Sequence, residues 1–84
     1  VLKIAYSSGA LRALRRLPGK TVVLIRTKIG QYAARPAALA NNVIRLKGSP
    51  YLRLRVGDWR VIFEVSGDTL TVLDAGHRSG VYDD

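Results

Sequence analysis

Residues 1–6 (VLKIAY) alternate weakly between apolar and polar and are rich in β-forming side chains, which predicts a strand. Ser7 and Ser8 follow as candidate N-caps. Residues 10–17 (ALRALRRL) then set Leu11, Leu14 and Leu17 on one side and Arg12, Arg15 and Arg16 elsewhere, the signature of a short amphipathic helix. Pro18 and Gly19 interrupt it, and the helical period resumes over 21–34 with Val22, Ile25, Ile29 and Tyr32 at spacings of three, four and three. Two successive helices make a helical hairpin. Residues 33–42 (AARPAALANN) combine small side chains, a proline and an asparagine pair, and predict a loop. From there the period changes to two, predicting strands at 43–46, 51–56, 59–65 and 70–75 with turn residues between them.

Two Gly-Asp pairs set how these strands meet. A two-residue turn at Gly57-Asp58 opposes Val56 to Trp59, Leu54 to Val61 and Leu52 to Phe63; one at Gly67-Asp68 opposes Val65 to Leu70 and Phe63 to Val72. All of these side chains are apolar and share one face, so turn chemistry and alternation agree on an antiparallel meander, with Trp59 in the core. The expected class is α+β: an N-terminal strand and a two-helix hairpin packed on one face of an antiparallel β-sheet.

The other face then carries Tyr51, Arg53 and Arg55, next Arg60, Ile62 and Glu64, and finally Thr71, Leu73 and Ala75. Arg55 stands opposite Arg60, a like-charge pairing that costs up to about 1 kcal/mol, which implies that the chain uses the charge. Strict alternation turns Asp74 toward the core, His77 toward the basic face and Arg78 toward the core face, with both of the latter near Arg60. A bulge at Gly76 would re-aim either side chain, so both are candidates.

Length and composition narrow the class. Eighty-four residues suffice for one domain, 1–84, which at this size buries about 60 to 65% of its unfolded surface. Cysteine is absent, so neither disulfides nor thiolate metal sites staple the fold, in keeping with a reducing compartment. The longest bulky apolar run, Val22 to Ile25, is far short of the roughly 20 residues that cross a bilayer, and no signal-peptide pattern opens the chain. A soluble, cytoplasmic protein with no membrane partner is expected, with room for a residue or two before Val1. The net charge of +8 is unevenly spread: residues 1–57 hold twelve Arg and Lys and no acid, whereas residues 58–84 hold two Arg and six acids. Such one-sidedness points to a polyanionic partner, nucleic acid or an acidic protein.

The candidate chemistry follows by elimination. One histidine rules out a two-histidine acid/base pair, and a single histidine without cysteine makes a poor zinc site. Neither a P-loop nor a dinucleotide-binding glycine loop is present. What remains is Arg53, Arg55, Arg60, Arg78, His77, Tyr51 and Tyr82, a set suited to phosphodiester chemistry on RNA. Guanidinium groups can stabilise the charge that gathers on a five-coordinate phosphorus, and an imidazole or phenol beside them can move protons. Aromatic rings in a basic groove can also stack on splayed bases.

Residues 10–18 (ALRALRRLP), 51–65 (YLRLRVGDWRVIFEV) and 76–82 (GHRSGVY), taken in this order with the strand, helix pair and meander, resemble the RelE/ParE superfamily of bacterial toxins, its RelE branch most closely. The resemblance covers nearly the whole chain. It implies a toxin of a type II toxin–antitoxin module that enters the ribosomal A site and cuts mRNA by 2′-hydroxyl attack, without metal or other cofactor. Arg60 and Arg78 resemble the family's two phosphate-contacting arginines, Arg53 its basic catalytic residue, and Tyr82 the tyrosine that stacks on or orients the substrate base. His77 falls where relatives carry Lys or His, and Tyr51 where some carry a further catalytic lysine. Arg45, Lys47, Tyr51 and Arg55 are expected to contact RNA. The implied partners are the ribosome, mRNA and an acidic antitoxin whose segment wraps the toxin. The same scaffold serves ParE-type members that poison DNA gyrase, and a member that only binds its antitoxin and regulates its operon is a third reading.

Overall fold

The computed structural model describes residues 1–81. Strand β1 (Lys3–Tyr6) leads into helices α1 (Ser8–Arg15) and α2 (Gly19–Ala34), and a 3-10 segment (Pro36–Asn42) delivers the chain to β2 (Val43–Arg45), β3 (Leu52–Val56), β4 (Trp59–Ser66) and β5 (Thr69–His77). The five strands form one sheet in the order β1-β5-β4-β3-β2. Strands β2 to β5 are the expected antiparallel meander, and β1 adds to the outer edge of β5 in parallel. A parallel neighbour cannot be reached through a tight turn, and here the helices and the meander separate the two strands in sequence.

Helix α1 starts at Ser8 because Ser7, in an extended conformation, accepts the Ala10 N–H on its Oγ at 3.0 Å. The buried stripe is Ala10 and Leu14, with Leu17 packed against the core, while Leu11 stays 39% exposed. The expected Leu11–Leu14 pairing gives way because the small Ala10 side chain sits against the sheet. Helix α2 buries Thr21, Ile25, Ile29 and Ala33, one residue per turn. Residues 36–42, predicted as loop, instead form 3-10 turns kinked at Leu39; Pro36 at the first position presets φ, and Leu39 packs on the core. The core is filled by Phe63, Ile25, Ile29, Leu54, Leu70, Val61 and Val72, with Tyr32 edge-on to Phe63 at 5.1 Å.

The predicted register of β3 with β4, and of the β4–β5 end nearest Gly67, is observed pair for pair, including Arg55 opposite Arg60. Both turns carry Gly first with φ of 60°, the conformation that an L side chain resists and that suits a hairpin turn with Gly leading. The departure is in β5, where Phe63 pairs with Val72 but Ile62 pairs with Asp74. The bulge therefore takes up Leu73, not Gly76. It corrects three positions: Asp74 is exposed and faces away from the helices, Ala75 turns into the core at 5% exposure opposite Val61, and His77 lies opposite Trp59 on the helix side. Without the extra residue an unpaired carboxylate would enter the core, at a cost far above that of one interrupted ladder position. The Leu73 carbonyl is met by the Ser7 hydroxyl, which donates to it at 3.3 Å.

Candidate active site on the open face of the sheet

The helices cover one face of the sheet, and the other is open. Lateral pairing arranges its side chains in rows. Nearest the Gly57-Asp58 turn, Arg55, Arg60 and Gly76 lie side by side; the next row runs Ile44, Arg53, Ile62, Asp74. Beyond it the Leu46 N–H donates to the Tyr51 carbonyl at 2.9 Å, setting these two on the same face. Alternation places every one of these residues where it is, because each lies two positions from the next along its strand.

Arg60 is 9% exposed, and its guanidinium folds over the hairpin, Nη1 donating to the Gly57 and Trp59 carbonyls at 2.9 Å each. Arg53 is half-buried and Arg55 exposed. Arg78 leaves β5 at the hairpin end: its N–H donates to the Asp58 carbonyl at 2.8 Å, and its Nε lies 3.7 Å from Asp58 Oδ1 in a well-exposed ion pair. Around the next rows Leu46 and Ile62 form a buried apolar floor, rimmed by Lys47, Ser49, Tyr51 and Asp74. Ser49 orders that rim, its Oγ accepting the Tyr51 N–H at 3.1 Å and donating to the Leu46 carbonyl at 3.2 Å.

Thus Arg53, Arg55 and Arg60 share one face with Tyr51 and Lys47, and Arg78 stands at its hairpin end. Two predicted residues stand apart. Arg45 pairs with Leu52 and so points to the helix side at the sheet edge. His77 packs edge-on against Trp59, centroids 5.5 Å apart, and its Nδ1 accepts the Ser79 N–H at 3.2 Å and lies 2.9 Å from Ser79 Oγ. With Nδ1 accepting, the proton of the neutral ring belongs on Nε2. Tyr82 lies outside the described residues. Among these, no three His, Asp or Glu side chains gather into a metal-binding group, and no helix is long and apolar enough to cross a membrane.

Sequence reasoning missed the apolar floor, Asp74 on the open face, Asp58 as the partner of Arg78 and Ser79 as that of His77. The awkward inward parity of Asp74 was the signal for the second of these; the others depend on how loops fold back, which alternation does not report.

Comparison with known proteins decides the family. A family model described as ParE toxin of type II toxin–antitoxin system, parDE, matches residues 4–82. The chain belongs to the RelE/ParE superfamily of type II toxins. This toxin is 30% identical to Toxin RelE3 of Methanocaldococcus jannaschii over 86 residues, covering 98% of the chain and 97% of the relative. Its fold superposes on the toxin of the RelB–RelE complex from Methanococcus jannaschii with a TM-score of 0.74 at 26% identity, covering 94% of this chain and 95% of that one. The archaeal RelE–RelB complex from Pyrococcus horikoshii gives a TM-score of 0.76 at 22% identity, covering 95% and 98%. The isolated RelE toxin of E. coli gives 0.75 at 17% identity, covering 92% and 84%. The toxin therefore has the α+β architecture that its sequence implied.

Proposed function

We propose that this toxin is an endoribonuclease that cuts mRNA on the translating ribosome and so arrests protein synthesis. The observation that carries the reading is the lateral Arg55–Arg60 pair with Arg53 beside it on an open sheet face, in a chain 30% identical to a RelE toxin. In the reaction the 2′-oxygen attacks the adjacent phosphorus as its proton leaves, the bond from phosphorus to the 5′-oxygen breaks, and that oxygen takes up a proton. A 2′,3′-cyclic phosphate and a 5′-hydroxyl result. Arg60, pinned by two carbonyls, offers a guanidinium whose position is fixed before substrate arrives, which suits stabilisation of charge appearing only in the transition state. Arg53 and Arg78 add donors from the neighbouring strand and the hairpin end, without calling on a metal or a small-molecule cofactor. Tyr82 assists proton transfer or base placement. His77, held by Trp59 and Ser79 on the far side, acts as a positioning residue for the turn that presents Arg78.

Arg45, Lys47 and Arg55 contact ribosomal RNA through phosphates, and an acidic antitoxin segment neutralises the same surface in the resting complex, as RelB accompanies RelE in the solved archaeal complexes. Such a target places the toxin in the cytoplasm. Primer extension on translated mRNA tests the reading: induction should produce cuts within codons, and Arg60→Ala and Arg78→Ala should each lower cutting by at least about 100-fold, the loss typical of one oxyanion-stabilising donor. Intact mRNA together with accumulated gyrase–DNA complexes would instead establish the second reading, gyrase poisoning, which the ParE family match favours.

A further inference from the structure

The apolar floor of the open face is not explained by phosphate chemistry. Leu46 and Ile62 are buried there at 5% and 7% exposure, apart from the main core, and with Lys47, Ser49, Tyr51 and Asp74 they line a cavity of about 310 Å³. Tyr51 contributes a ring that is 40% exposed. Asp74 contributes a carboxylate whose Oδ1 accepts the Ala75 N–H at 2.8 Å, and it forms no ion pair with any described residue, although it stands on a face rich in arginine. Ile62 separates Asp74 from Arg53 in a single lateral row. Strands lie about 4.8 Å apart, so Asp74 is about 10 Å from Arg53, close to the span from a nucleotide's phosphate to the far edge of its base.

We propose that this cavity receives the base of the nucleotide whose phosphate lies on Arg53 and Arg60, and that Asp74 selects guanine there. An ionised carboxylate only accepts hydrogen bonds. The Watson–Crick edge of guanine presents two adjacent donors, N1–H and the N2 amino group, which match its two oxygens. Adenine and cytosine offer one amino group beside a ring acceptor that would face a carboxylate lone pair, and uracil offers one N–H between two carbonyls. Single-stranded RNA bases are read on these edges while stacked on aromatic rings, the part left to Tyr51. Leu46 and Ile62 supply the apolar surface on which the base rests.

The inference rests on the ribonuclease reading for the phosphate on the arginines, and its test separates the two. Nuclear magnetic resonance titration of the toxin with the four nucleoside 3′-monophosphates should show guanosine bound about tenfold more tightly than the others, within the range of one bidentate base contact. Asp74→Asn keeps an acceptor for the Ala75 N–H and should reduce that preference below about twofold. Tyr51→Ala should weaken all four nucleotides alike. Glu64→Gln, on the same face but outside the cavity, should change nothing. On ribosomes with the A-site codon varied base by base, cutting should prefer guanine at one codon position, and Asp74→Asn should remove the preference. Equal binding of the four nucleotides, or a preference that survives Asp74→Asn, overturns the inference even if codons are cut. Guanosine preference without cutting of any codon overturns the ribonuclease reading and leaves the base pocket standing.

Discussion

A guanidinium at 9% exposure loses most of its hydration, and Arg60 is held in that position by the Gly57 and Trp59 carbonyls that accept from it. Lysine has neither the planar fork nor the reach to meet both carbonyls. Arg60→Lys is therefore expected to lose cleavage nearly as fully as Arg60→Ala and to lower unfolding free energy by about 1–3 kcal/mol, measured by urea denaturation. Gly76, opposite Arg60, is constrained by space: a Cβ there would meet Val81 Cγ2 at 2.6 Å. Gly76→Ala should destabilise by about 1–3 kcal/mol through overpacking, and the double change Gly76→Ala with Val81→Ala should recover most of that loss. A stability unchanged by the second substitution would show that the clash is not the cause.

Ser7 joins two secondary-structure elements. Its Oγ accepts from the first turn of α1 and donates to the carbonyl of Leu73, the residue that the β5 bulge leaves over. Loss of a serine N-cap ordinarily costs about 1 kcal/mol. Ser7→Ala should cost at least that, and hydrogen exchange should speed up both at the Ala10 amide and around Leu73; an effect confined to α1 would show that the bulge stands without the cap. The bulge in turn decides what the site contains. It sends Ala75 into the core and leaves Asp74 among the arginines of the open face, so one inserted residue converts a misplaced acid into a group that RNA can meet.

The charge of +8 is divided in space as it is in sequence. Arg53, Arg55 and Arg60 converge on the open face, while Arg12, Arg15, Arg26 and Lys20 belong to the helices on the other side. Phosphate contacts release counterions, so RNA affinity should fall with salt, and Arg55→Ala should reduce the slope of log affinity against log salt by about 0.7, the single-strand value for one contact. An unchanged slope would remove Arg55 from the phosphate path. The sequence by itself determined the element order, the two hairpin registers, the apolar face under the helices and the opposed Arg55–Arg60 pair, because alternation and glycine-led turns are local and leave one consistent pairing. Only the tertiary structure decided that β1 lies parallel to β5, that the bulge falls at Leu73, that His77 and Arg45 point away from the other cations, and that Leu46 and Ile62 close a second apolar floor. Each of these follows from contacts between segments distant in sequence, where burial of a carboxylate or of a methyl group outweighs the local period.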